Sequence, residues 1–228
     1  MQDPVFVQRA FSRIADRYVL TNHVLSMGTD ILWRKKVARI VAERAPERLL
    51  DLATGSGDLA AEIAKKCPGT EIVGADFCQP MLNHARKRGL SNLIVADGLQ
   101  LPFDSGVFDV VTVAFGLRNM ADWPGAIKEM RRVLRPSGAL IILDFSLPRG
   151  FLGPPYGVYL NHVLPRMAGV LTGQREAYDY LSKSVGAFPS GANMEALLRD
   201  CGFGDAASEP LSFGIASVYL GTLPVTDS

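Results

Sequence analysis

Short unbroken apolar runs at 48–53, 71–76, 93–96, 108–115 and 139–145 alternate with stretches at 58–66, 79–88 and 122–134 whose apolar positions keep a helical period. Runs of that length without polar interruptions mark strands covered on both faces. Their alternation with helices predicts parallel strands joined by helical crossovers. Asp122 is placed to cap the helix that follows it, with Pro124 in the first turn. Ahead of this core, residues 3–46 read as helical. Val5, Phe6, Ala10, Ile14 and Ala15 roughly follow a 3.6 period, Thr21, Asn22, Ser26 and Gly28 mark breaks, and Leu32, Trp33, Val37, Ile40 and Val41 trace a further helix that Pro46 ends. After Leu147 the rhythm fails, where Pro148, Gly150, Gly153, Pro154, Pro155, Pro165 and Gly173 interrupt apolar and aromatic residues. A helix is expected from Ala192 to Cys201, stopped by Gly202. The loosely alternating end, Ala206 to Leu220, predicts a hairpin around Gly214 that adds an antiparallel edge strand.

The 228 residues therefore read as one α/β domain. Residues 1–46 form a helical N-terminal lid, 48–146 the core, 147–180 an insertion covering a greasy substrate, and 181–228 a C-terminal helix and hairpin. Net charge is +1, and no basic run is interleaved with aromatics, which argues against nucleic acid as a partner. Cys67, Cys78 and Cys201 are far apart, an odd set that suits a reducing cytoplasm and supports no zinc site. Charges at Asp3, Arg9, Arg13, Asp16 and Arg17 leave no apolar core for a signal peptide, and no 18-residue apolar window suggests a membrane span.

The chemistry centres on Asp51-Leu52-Ala53-Thr54-Gly55-Ser56-Gly57-Asp58, a strand end, a glycine turn and a helix start. Glycines let the backbone turn tightly and let a ligand approach, while the helix N-terminus offers unpaired N–H groups. The run fits a dinucleotide-binding turn, G-x-G-x-x-G/A. Asp51 and Asp58 flank it, however, and would repel a pyrophosphate while attracting an ammonium and a sulfonium. S-adenosylmethionine carries both. Asp76 ends the next strand, roughly 20 residues on, where an acid bonds ribose hydroxyls. Asp97 ends the third strand and suits an adenine amino group. The candidate cofactor site is thus Asp51, Thr54, Gly55, Ser56, Gly57, Asp76, Phe77, Asp97, Gly98 and Ala114. A nicotinamide-dependent oxidoreductase and a binding protein without turnover are the rival readings. No metal is expected.

Further motifs carry a resemblance. Tyr18-Val19-Leu20-Thr21-Asn22 with Ser26 and Trp33, the glycine turn, Leu101-Pro102-Phe103, Phe115-Gly116-Leu117-Arg118-Asn119, Arg132 to Gly138 running on to Asp144-Phe145-Ser146, His162-Val163-Leu164-Pro165-Arg166 and Tyr178-Asp179-Tyr180-Leu181 together resemble the ubiquinone/menaquinone biosynthesis C-methyltransferases. The chain departs from that pattern at Val19, Thr21, Asp30, Arg135, Ser137 and Asp144. The resemblance implies a Rossmann-like class I methyltransferase fold: a mostly parallel seven-stranded sheet, helices on both faces, an antiparallel last strand and an N-terminal helical lid. It implies S-adenosylmethionine-dependent methylation of a ring carbon of a lipophilic quinol. Demethylmenaquinol is favoured over a benzoquinol precursor of ubiquinone, and another small phenolic metabolite is a further alternative. Arg118, Asn119 and Tyr18 become the catalytic candidates and His162, Arg166 and Tyr178 the substrate-lid candidates. Peripheral contact with the inner face of the membrane and a homodimer accompany this reading.

Overall fold

The computed structural model describes residues 28–148, 153–158 and 184–225. The expected helices before residue 28 and most of the insertion lie outside the described residues, and with them Tyr18, His162, Arg166 and Tyr178. In chain order the elements are α1 (Asp30–Arg44), β1 (Arg48–Leu52), α2 (Asp58–Lys66), β2 (Glu71–Asp76), α3 (Gln79–Lys87), β3 (Leu93–Val95), β4 (Phe108–Ala114), α4 (Trp123–Val133), β5 (Leu134–Phe145), α5 (Gly153–Val158), α6 (Ala192–Asp200), β6 (Asp205–Leu211) and β7 (Ala216–Thr222).

The seven strands form one sheet in the order β3-β2-β1-β4-β5-β7-β6. Strands β1 to β5 pair in parallel, and β7 runs antiparallel to β5 and β6. The apolar runs hide a period of two that the two faces reveal. Leu140 and Ile142 of β5 pack with Ala126, Ile127, Met130 and Val133 of α4 and Met194 and Leu198 of α6. Ile141 and Leu143 pack with Trp33, Val37 and Val41 of α1 and Leu59 and Ile63 of α2. Each strand residue alternates between two buried layers, so none needs to be polar. Asp122 caps α4 as expected, its carboxylate accepting from Gly125 N at 3.0 Å.

Two expectations need correction. The hairpin does add an antiparallel strand, but β7 lies inside the sheet and β6 is the edge. The reason is legible in the side chains: β7 is apolar and almost wholly buried, whereas β6 carries Glu209 and Pro210 and is largely exposed, as suits an edge that must not recruit another strand. In addition, β5 begins at Leu134 and not at Ala139. The strand passes through Pro136 and Ser137, whose φ is +61°, and its register with β4 shifts between Phe108 and Val110. That bulge absorbs a proline no central ladder would accept.

Candidate active site

Sheet order reverses between β1 and β4, which lead to helices on opposite faces. A doubly wound sheet opens its ligand crevice at such a point. Each strand is followed directly by a non-glycine residue in the left-handed region, Ala53 at φ +53° and Phe115 at φ +58°. That conformation is costly for residues with a Cβ and concentrates at functional sites. Gly116 makes the close approach possible, since a Cβ there would lie 2.4 Å from the Ala53 Cβ.

Asp51, on β1 beside this reversal point, is 1 % exposed. One carboxylate oxygen accepts from Thr54 Oγ1 and the other from Thr112 Oγ1, each at 2.6 Å. Thr112 is the direct cross-strand neighbour of Asp51 in the β1–β4 ladder. Burial raises the Asp51 carboxyl to about 6, against the two hydroxyl bonds; Asp76 pushes it further up, and the Arg34 guanidinium pulls it down. Asp76 is also raised to about 6, again chiefly by burial. Its oxygens accept from Gly55 N and Cys78 N, both at 2.8 Å, tying the glycine turn to the start of α3. Asp76 is therefore a structural clasp as well as a ligand candidate.

The glycine turn is also tied into the protein by its own packing and ion pairing. A Cβ on Gly57 (φ +77°) would meet the Leu90 side chain at 2.4 Å and Ala85 Cβ at 3.1 Å, so protein packing by itself already calls for the glycine. A Cβ on Gly55 would meet the Met81 methyl at 3.3 Å. Ser56 donates to Asp58, and Asp58 pairs with Arg88 at 3.0 Å. Asp58 therefore shares its charge with Arg88, whereas Asp51 and Asp76 are the buried acids beside the turn. Beside them Phe77 and Met81 form an apolar wall with Cys78. Asp97 is exposed, accepting from Leu99 N at 2.9 Å. Gly98 lies under Met120, where a Cβ would come within 3.0 Å. Ala114, half-buried, ends β4 beside Leu143.

Arg118 and Asn119 stand in the 3-10 turn Leu117–Asn119 just after β4, at the expected sheet edge. Both donate to the carbonyl of Phe115, at 2.8 Å from Arg118 Nη1 and 3.1 Å from Asn119 Nδ2. Arg118 is buried and ion-paired with Asp144 at 2.6 Å. Burial pushes the Asp144 carboxyl up and Arg118 opposes it. The guanidinium lies 5.3 Å from the Phe145 ring centroid and 5.9 Å from that of Phe115. Trp33 closes the group, edge-on to Phe145, and donates from Nε1 to Ser212 at 2.9 Å. A second buried ion pair, Asp30 with Arg34, also packs against Phe115, with the Arg34 guanidinium 5.6 Å from the ring centroid. Thr112, Arg34 and the Arg118–Asp144 pairing were not anticipated. The one available signal was the i, i+4 spacing of Asp30 and Arg34.

A sequence profile of the ubiE/COQ5 methyltransferase family matches residues 2–223. The chain is 46% identical over 220 residues to the demethylmenaquinone methyltransferase of Thermus thermophilus, covering 94% of this chain and 100% of that one. It is 39% identical over 230 residues to the ubiquinone/menaquinone biosynthesis C-methyltransferase UbiE of Bdellovibrio bacteriovorus, covering 97% of each. Among solved structures, a SAM-dependent methyltransferase of Thermotoga maritima superposes with a TM-score of 0.67 at 20% identity, covering 93% of this chain and 97% of that one. The methyltransferase CalH in complex with SAH superposes with a TM-score of 0.59 at 21% identity, covering 83% and 55%. These likenesses show the fold.

Proposed function

Because the chain belongs to the ubiE/COQ5 methyltransferase family, we propose that its S-adenosylmethionine-dependent reaction methylates a ring carbon of demethylmenaquinol. The observation that carries this reading is the pair of dehydrated carboxylates, Asp51 and Asp76, bracketing a glycine turn at the point where the sheet order reverses. Two enclosed acids suit a cationic nucleoside and disfavour a pyrophosphate, which speaks against the nicotinamide reading. Asp51 would hold the ammonium of the cofactor and Asp76 its ribose hydroxyls. Phe77 and Met81 would pack on the adenine, with Asp97 and Gly98 at its rim. The bound cofactor supplies an electrophilic methyl group.

A hydroquinone carbon attacks well only when its phenol loses a proton and pushes charge into the ring. The protein must orient the ring and stabilise that charge. In this reading Arg118 provides a cation whose position Asp144 and the Phe115 carbonyl fix in advance, and Asn119 shares the same carbonyl. The same reading keeps Tyr18 as a catalytic candidate and His162, Arg166 and Tyr178 as substrate-lid candidates, all outside the described residues. Among the described residues no helix is long and apolar enough to cross a membrane. A prenylated acceptor is then met by peripheral contact at the inner membrane face. The choice of naphthoquinol follows the names of the relatives in Thermus, Deinococcus and Thermotoga. The test offers the purified protein S-adenosylmethionine with demethylmenaquinol or with the demethylated benzoquinol, and weighs the products. Methylation of the benzoquinol alone would reassign the acceptor.

A further inference from the structure

We propose that Arg34 is a binding residue for the cofactor, its guanidinium taking the carboxylate at the amino-acid end of S-adenosylmethionine. The inference rests on the reading of Asp51 as the ammonium partner. Arg34 belongs to α1 and is 6% exposed. A guanidinium offers five N–H donors in a fixed fork. Among the described residues its one hydrogen-bonding partner is Asp30, one helical turn earlier. The other Arg34 nitrogens are not among the fully enclosed, unsatisfied atoms of the structure, so they are not sealed in apolar packing.

Their location argues for a ligand. The guanidinium carbon lies 5.6 Å from the centroid of Phe115, the residue that follows β4 at the reversal point. Its charge reaches Asp51, whose carboxyl it pulls down. The crevice thus pairs a buried anion with a nine-tenths-buried cation that still has open donors. An amino-acid group presents the complementary pair, an ammonium for Asp51 and a carboxylate for Arg34. Arg34 suits the task because its planar fork can keep Asp30 on one nitrogen while the others face a second carboxylate. Asp30 then orients the side chain without consuming it.

Decarboxylated S-adenosylmethionine keeps the ammonium and lacks the carboxylate, so it separates the two contacts. Calorimetry of the purified full-length protein with each ligand supplies the readout. Arg34→Met is expected to weaken S-adenosylmethionine by about ten- to a hundredfold, the scale of a hydrogen bond to a charged group, and to leave the decarboxylated ligand nearly unchanged. Arg34→Gln, which can still donate to Asp30, guards against a variant that fails to fold and should show the same selective loss. Equal weakening of both ligands, or of neither, would overturn the proposal. Asp51→Asn separates the two levels: it should weaken both ligands, and if it weakens neither, the underlying reading of Asp51 falls first.

Discussion

Thr112 Oγ1 donates to Asp51 at 2.6 Å across the β1–β4 ladder, and both side chains are closed off from solvent. A threonine among the buried valines of β4 thereby orients one carboxylate. Burial holds Asp51 and Asp76 near 6, and a cationic ligand needs both as anions. Affinity for S-adenosylmethionine is therefore expected to be full above about pH 7 and to fall as pH drops through about 6, by about tenfold per unit for each proton taken up. Thr112→Val removes a bond that lowers the Asp51 carboxyl, so it should move the midpoint of this profile upward; Thr112→Ser should restore it. Calorimetry between pH 5 and 8 is the check, and a flat profile would refute the role.

The same burial works against the ligand-free fold. A carboxyl raised from 3.8 to about 6 contributes stability that is complete below 3.8 and lost as pH rises through 6. At pH 7.5 the anionic form of Asp51 thus costs up to about 3 kcal/mol. Asp51→Asn, which keeps the shape and can still engage both threonine hydroxyls, is expected to stabilise the ligand-free protein by about 1–3 kcal/mol while it loses cofactor affinity. Denaturant melts at pH 7.5 and pH 5 measure it: the gain should shrink at the lower pH.

Arg118→Ala should destabilise the protein by about 3–5 kcal/mol, because it strands Asp144 as an unpaired buried charge. Low turnover in that variant alone would not reveal a catalytic role. Arg118→Met combined with Asp144→Leu removes both charges, so most of the stability should return. If the fixed cation steadies the acceptor phenolate, turnover stays depressed by about 10²–10³-fold in the refolded double variant. Recovery of turnover with stability would make the pair purely structural. Single-turnover methylation alongside urea melts reads both quantities.

Much of this arrangement is visible along the chain. The helix at 58–66 and the strand at 71–76 fall where the apolar pattern put them, because a strand buried on both faces and a helix between glycine turns leave strong local marks. The acids at the ends of β1 and β2 stand out for the same reason. Other features depend on contacts far apart in sequence. Strand β7 enters between β5 and β6 through a pairing of Ala139 with Thr222 that no local pattern encodes. Thr112 looks like one more β-branched residue in a strand until Asp51 lies beside it. Arg118 reads as an active-site cation at a strand end, yet Asp144, 26 residues later, claims it. Arg88 answers Asp58 from the far end of α3 in the same way.

Gly57 gives a prediction about packing. Any Cβ there sits at φ +77° and 2.4 Å from the Leu90 side chain. Gly57→Ala is expected to cost about 1–3 kcal/mol from the left-handed backbone and the overlap together. In a Leu90→Ala background the 2.4 Å overlap disappears while the tight approach to Ala85 stays, so the penalty of Gly57→Ala should shrink without vanishing. Thermal melts of the four proteins in this cycle supply the coupling. Full additivity would show that Leu90 is not the obstacle.

The most direct measurement supplies S-adenosylmethionine with a deuterated methyl group to the purified protein together with demethylmenaquinol, and follows the label by mass spectrometry. The account predicts one labelled methyl on a ring carbon of the quinol, none on its oxygens, and loss of the label from the product in Asp51→Asn. Label on oxygen, or no labelled quinol while the cofactor binds normally, would contradict it.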